Sequence, residues 1–113
     1  MEKASSCIAV FTKYSDAREA VEKLMAASVD RGQISLVGKD AQEGRVAAEG
    51  ISALDDDLQR LGVQEANFHC YKCLILGGSY LVIVSGDYEE VEQACSHLEK
   101  QEQAEVSVHF NAP

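Results

Sequence analysis

Apolar runs without alternation and amphipathic stretches follow one another along the chain, and the contrast between them predicts its elements. Residues 6–11, SCIAVF, are a short apolar run without alternation, as expected of a central strand with neighbours on both edges and cover on both faces. Ser15 then reads as a helix N-cap, with Asp16 suited to the positive end of the helix dipole. Ala17, Ala20, Val21, Leu24 and Ser28 recur at the helical period, while Arg18, Glu19, Glu22 and Lys23 fall on the other side. Residues 29–32, VDRG, are a turn by composition. Residues 33–37, QISLV, alternate polar with apolar and predict a strand with one wet face. From 38 to 54 there is no sustained period, frequent charge and three glycines, which predicts the most mobile segment of the chain. Asp55, Asp56 and Asp57 open a short helical piece through Leu58 and Leu61, where carboxylates suit a helix N-terminus.

The stretch 62–86, GVQEANFHCYKCLILGGSYLVIVSG, predicts a helix, a tight turn at Gly77-Gly78 and the most apolar strand of the chain. Its helix carries two apolar stripes. One runs through Ala66, Cys70, Cys73 or Leu74, and Gly77; the other through Phe68, Tyr71 and Ile75. A helix with two apolar faces must be covered twice, either deep between other elements or by a second chain. The first stripe is expected to lie on the protein's own sheet and the second to turn outward as a contact between two copies. Asp87 and Glu90 then form a capping-box pattern ahead of a helix that buries Val91, Ala94, Cys95 and Leu98. In residues 104–110, Val106, Val108 and Phe110 point one way and Glu105, Ser107 and His109 the other.

The order is therefore β-α-β, a helical or loop insertion over about 39–78, then β-α-β, in one domain spanning 1–113. The first and third strands are apolar throughout and the second and fourth alternate, so the first pair belongs in the middle. That arrangement predicts an α+β, ferredoxin-like fold with a four-stranded antiparallel sheet in the order 4-1-3-2. The two surface helices cover one face, and the other is left for the extra helix or a second subunit.

Charge narrows the partners. Ten Lys and Arg against nineteen Asp and Glu give a net charge of −9, which repels phosphate backbones and anionic membrane surfaces. The nearest basic group, Lys13, Arg18 and Lys23, is interleaved with Asp16, Glu19 and Glu22. Neither nucleic acid nor membrane is expected as a partner. No apolar run approaches a membrane span, and MEKASSC lacks the plan of a signal peptide, so a cytoplasmic location is expected. In that reducing compartment Cys7, Cys70 and Cys95 read as buried thiols on core stripes.

The segment IAVFTKYSDAREAVEKLMAASVDRGQISLVGKD resembles the opening of the bacterial general stress and low-temperature-induced proteins. These begin with a strand, a helix, a short turn and a second strand ending near a Gly or Ala, a basic residue and Asp. LGVQEANFHCYKCLILGGSYLVIVSGDYEEVEQACSHLE is similar to the family's second half, with its Leu-Gly-Val start, a Tyr inside the helix, a Gly before a strand and a Glu-rich helix. Two departures stand out. The family's long Gly- and Ala-rich hydrophobic segment is replaced by the short polar stretch 39–53, and Ser28 stands where the family commonly has glycine after the first helix. The resemblance implies a stress association and a fold, without an agreed reaction.

The sharpest chemical constellation is His69-Cys70-x-x-Cys73 with Cys95-x-His97, five groups of the type that ligate zinc. Against it, Cys70 and Cys95 sit on stripes expected to build the core, and structural zinc pairs usually come from turns. Cys70 and Cys73 also lie toward a helix C-terminus, where the dipole raises rather than lowers a thiol pKa. Gly77-Gly78 precedes a strand, so no phosphate cradle forms there. The sequence thus predicts a non-catalytic, stress-associated homodimer without a cofactor, acting through self-association or a protein partner with Phe68, Tyr71 and Ile75 at the contact. The alternative is a small sensor or enzyme that binds a metabolite or metal on the open sheet face.

Overall fold

The computed structural model describes residues 5–101 and 104–109, with Ile51 described by its backbone alone. Five antiparallel strands form one open sheet: β1 (Ser5–Phe11), β2 (Ile34–Val37), β3 (Gln42–Glu43), β4 (Tyr80–Gly86) and β5 (Glu105–His109), in the order β3-β2-β4-β1-β5. The helices are α1 (Tyr14–Ala26), α2 (Leu54–Arg60), α3 (Glu65–Leu76) and α4 (Tyr88–Glu99). The apolar β1 and β4 lie side by side in the interior of the sheet, with Ile8 opposite Ile83. The expected four-stranded order is corrected to five strands, because Gln42 and Glu43 pair with Val37 and Leu36. β2 is therefore not an edge. Nor does it have a wet face, since all four of its residues are buried. Phe110 lies outside the described residues.

Both faces of the sheet are covered. Cys7, Ala9, Phe11, Val82 and Val84 pack with Ala17, Ala20, Val21 and Leu24 of α1 and with Val91, Ala94, Cys95 and Leu98 of α4. Ile8, Leu81, Ile83 and Val37 pack with Leu54 and Leu58 of α2, with Tyr71 and Ile75 of α3, and with Val46 and Ala47. The face expected to be open is thus filled from within the chain.

Helix ends follow local chemistry only in part, since α4 alone of the four described α-helices has a side-chain N-cap bond. Asp87 and Glu90 close the capping box of α4, the Glu90 N–H donating to Asp87 Oδ1 at 2.9 Å and the Asp87 N–H to Glu90 Oε1 at 3.1 Å. α1 begins one residue ahead of Ser15 and takes Lys13 as an N-cap that makes no side-chain bond, so Ser15 lies inside the first turn. The C-terminus of α1 departs in its backbone. Ser28 has φ 72°, its N–H donates to Met25 O at 3.1 Å and that of Val29 to Leu24 O at 3.0 Å. This is a Schellman ending with serine where α2 and α3 use Gly62 and Gly78 at φ 88° and 99°. A left-handed non-glycine residue costs about 1–2 kcal/mol, against roughly 0.5–1 kcal/mol of extra unfolded-state freedom for glycine. Ser28→Gly should therefore raise stability by about 0.5–1 kcal/mol in urea unfolding; a loss of stability would show that the Ser28 side chain contributes more than its backbone costs.

Candidate functional site

α3 is the element on which the sequence placed both contact and metal candidates, and the structure turns it over. Ile75 is fully buried, Tyr71 is 8% exposed, and Phe68 packs half-buried against the same cluster. The stripe expected at a contact between copies is the one that lies on the sheet. Cys70 and Cys73 are exposed instead, with Leu74 and Leu76 36% and 59% exposed, so Cys70 is not the buried thiol expected. Size decides the orientation. Burying an aliphatic or aromatic side chain of the Ile or Phe class is worth about 1.5–3 kcal/mol, and Ala66 and Cys70 offer far less area.

The five metal candidates do not assemble. His69 and Cys73 meet on the outer face of α3, with Nε2 and Sγ 3.4 Å apart. Cys95 and His97 belong to α4, on the far side of the sheet, where Cys95 packs beside Cys7. Among the described residues no three His, Cys, Asp or Glu side chains are placed to hold one ion. The core thiols are also poor nucleophiles. Burial, reinforced by the neighbouring Cys95, pushes the Cys7 thiol strongly up, and burial likewise raises Cys95, which donates to Glu99 Oε1 at 3.4 Å.

Two polar features were missed. The first is Asp57, expected as part of a solvated cap but in fact buried. Its Oδ2 accepts the Ala47 N–H at 2.8 Å and its Oδ1 pairs with Arg60. Ala47 is held at φ 56°, and Ser35 Oγ accepts the N–H groups of Arg45 and Val46, each at 3.2 Å. At Gly44, φ 90°, a Cβ would lie 2.5 Å from Ile34 O, so only glycine fits. These bonds dock the segment expected to be mobile against β2 and α2. The cleft beside it, about 520 Å³, is lined by Arg45, Glu49, Asp56, Asp57, Gln59 and Arg60, which offers charges of both signs and no Ser, Cys, His or Lys.

The second joins α3 to β5. Tyr71 Oη lies 2.8 Å from His109 Nε2, and the two rings meet edge to face with centroids 5.9 Å apart. Burial lowers the His109 pKa and raises that of Tyr71, so the imidazole is neutral near pH 7 and its tautomer sets the direction of the hydrogen bond with the phenol. Alternation along residues 104–110 placed Ser107 and His109 on one face, but gave no sign of the phenol 38 residues away.

Two measurements check this picture. In the native protein at neutral pH a thiol reagent should label Cys70 and Cys73 at least tenfold faster than Cys7 and Cys95; rapid labelling of Cys7 would overturn the burial argument. Asp57→Ala leaves the buried Ala47 amide without its acceptor, which should cost about 1–3 kcal/mol in urea unfolding. Arg60 is 75% exposed at its side chain, so Arg60→Ala should cost far less, and equal losses would place the weight on the ion pair instead. Compared with known proteins, the chain matches no family model, no curated protein and no solved structure, so its function is argued from this geometry.

Proposed function

We propose that the protein is a non-catalytic, stress-associated domain of ferredoxin-like plan that acts by self-association, with the outer stripe of α3 as a contact. The observation that carries this reading is that α3 is apolar on both sides. Phe68, Tyr71 and Ile75 are used by the chain's own core, yet Cys70, Cys73, Leu74 and Leu76 remain exposed. An amphipathic surface helix has no need of that second stripe, and α1 and α4, with charged outer faces, do not have one.

The dispersal of the His and Cys side chains and the raised pKa of the core thiols support a role without a reaction centre. The sensor or enzyme alternative needed the second sheet face as a pocket, and Ile8, Leu81 and Ile83 on that face are buried under α2 and α3. The stress association rests on the order of elements and the sequence likeness described above. A net charge of −9 supports a protein surface over nucleic acid as the partner, and free cysteines fit a reducing cytoplasm. No helix among the described residues is long and apolar enough to cross a membrane.

Light scattering tests the reading. The wild type should reach twice the chain mass of 12.3 kDa as concentration rises, and Leu74→Glu with Leu76→Glu should fall to a folded species of 12.3 kDa. Both side chains are exposed in the monomer, so circular dichroism should be unchanged. A wild-type mass that stays at 12.3 kDa over a wide concentration range would end the proposal.

A further inference from the structure

The two edges of the sheet are not alike. β3 is two residues long, and its Glu43 is clamped by Arg18 at 2.6 Å and Arg31 at 2.8 Å, a short charged edge of the kind that resists further pairing. β5 is five residues, EVSVH, with no Lys, no Pro and no bulge, and among the described residues it pairs with β1 alone. Its outward N–H and C=O groups, which pair with no other described strand, form a template for pairing.

We propose that β5 pairs antiparallel with β5 of a second copy, about a two-fold axis beside Ser107. This rests on the self-association reading and gives it a strand-pairing surface. With Ser107 opposite its own counterpart, Val106 meets Val108 and Glu105 meets His109, so all five residues of the strand pair. The faces match as well. Glu105, Ser107 and His109 share the side of Val10, Ile8 and Ser6, while Val106 and Val108 pack toward the α1 and α4 layer. A shift of one residue would oppose side chains of different faces. A symmetric pairing centred on Val106 or Val108 loses the Glu105 to His109 match.

The polar side of this register closes a chain of donors. With Tyr71 Oη 2.8 Å from His109 Nε2, the tautomer in which the phenol donates to Nε2 puts the imidazole proton on Nδ1, as the donor for the second copy's Glu105 carboxylate. The same pair forms twice, once on each side of the axis. Opposite charges and hydrogen-bonding groups directly across an antiparallel pair favour it, and like charges there disfavour it.

Ser107→Lys places two ammonium groups opposite each other at the axis while altering a side chain that is exposed in the monomer. It should weaken association at least tenfold by light scattering with unchanged circular dichroism. A second variant does not depend on that fold. Ser107→Cys, in a Cys70→Ser and Cys73→Ser background, should cross-link between copies when oxidised glutathione takes up the two thiol hydrogens and is reduced to two glutathiones. If Ser107→Lys leaves the dimer intact and Ser107→Cys does not cross-link, the edge pairing is overturned; a dimer then lost on Leu74→Glu leaves self-association through α3 standing. A wild type that is monomeric throughout overturns both, and a dimer broken by Ser107→Lys but not by Leu74→Glu places the contact on β5 and removes it from α3.

Discussion

The structure depends on two central strands that have no polar face. Ile8, Ala9, Leu81, Val82, Ile83 and Val84 are all fully buried, so the β1 and β4 pair must be covered on both sides at once. Alternation would have allowed one face to meet water. Its absence makes a second layer of helices obligatory, and the long connection between β2 and β4 supplies it. α1 and α4 alone would leave Ile8, Leu81 and Ile83 exposed in one contiguous patch.

Supplying that layer brings backbone polar groups to the sheet, and their satisfaction explains the buried polar residues. Ser6 Oγ donates to Leu61 O at 2.9 Å where α2 ends, Ser35 accepts two amides of the 44–47 turn, and Asp57 accepts a third. Each of these groups, unpaired, would cost about 1–3 kcal/mol. The insertion is therefore held by matched donors and acceptors as well as by Val46, Leu54, Leu58 and Ile75. Lys72, bonded to Asp55 at 2.8 Å, ties α3 to α2 near the surface.

What the sequence made legible was periodicity, and what it hid was the choice between equal periods. The apolar interior strands, the capping box at Asp87 and the Gly77-Gly78 turn are local features, and each stands where the pattern placed it. The two stripes of α3 have the same spacing, so period alone could not orient the helix; the larger volume of Phe68, Tyr71 and Ile75 does. QISLV alternates because Ser35 is an acceptor for the insertion, which reads in sequence as a wet face. The triplet 55–57 looked uniform, yet three successive helical positions point in different directions, so that Asp57 is buried, Asp55 half-buried and Asp56 exposed. The candidate metal set failed for a similar reason, since spacing within α3 and α4 says nothing about the sheet lying between them.

Local rules hold through most of this chain, and the places where they fail are confined. Left-handed backbone at Ser28 and Ala47 is explained by a helix ending and by the docking of the insertion. The outer stripe of α3 has no such explanation within the fold. Replacing its exposed leucines and cysteines with charged residues would leave every described core contact in place, and solubility would favour the change. The β5 edge presents the same surplus, a strand without the lysine, proline or bulge that keeps edges apart. Because Tyr71 links α3 directly to His109 at 2.8 Å, the two surpluses occupy neighbouring elements of one side of the molecule. Departures from local consistency concentrate where a protein has something other than its own fold to accommodate, and in this chain they concentrate on α3 and β5.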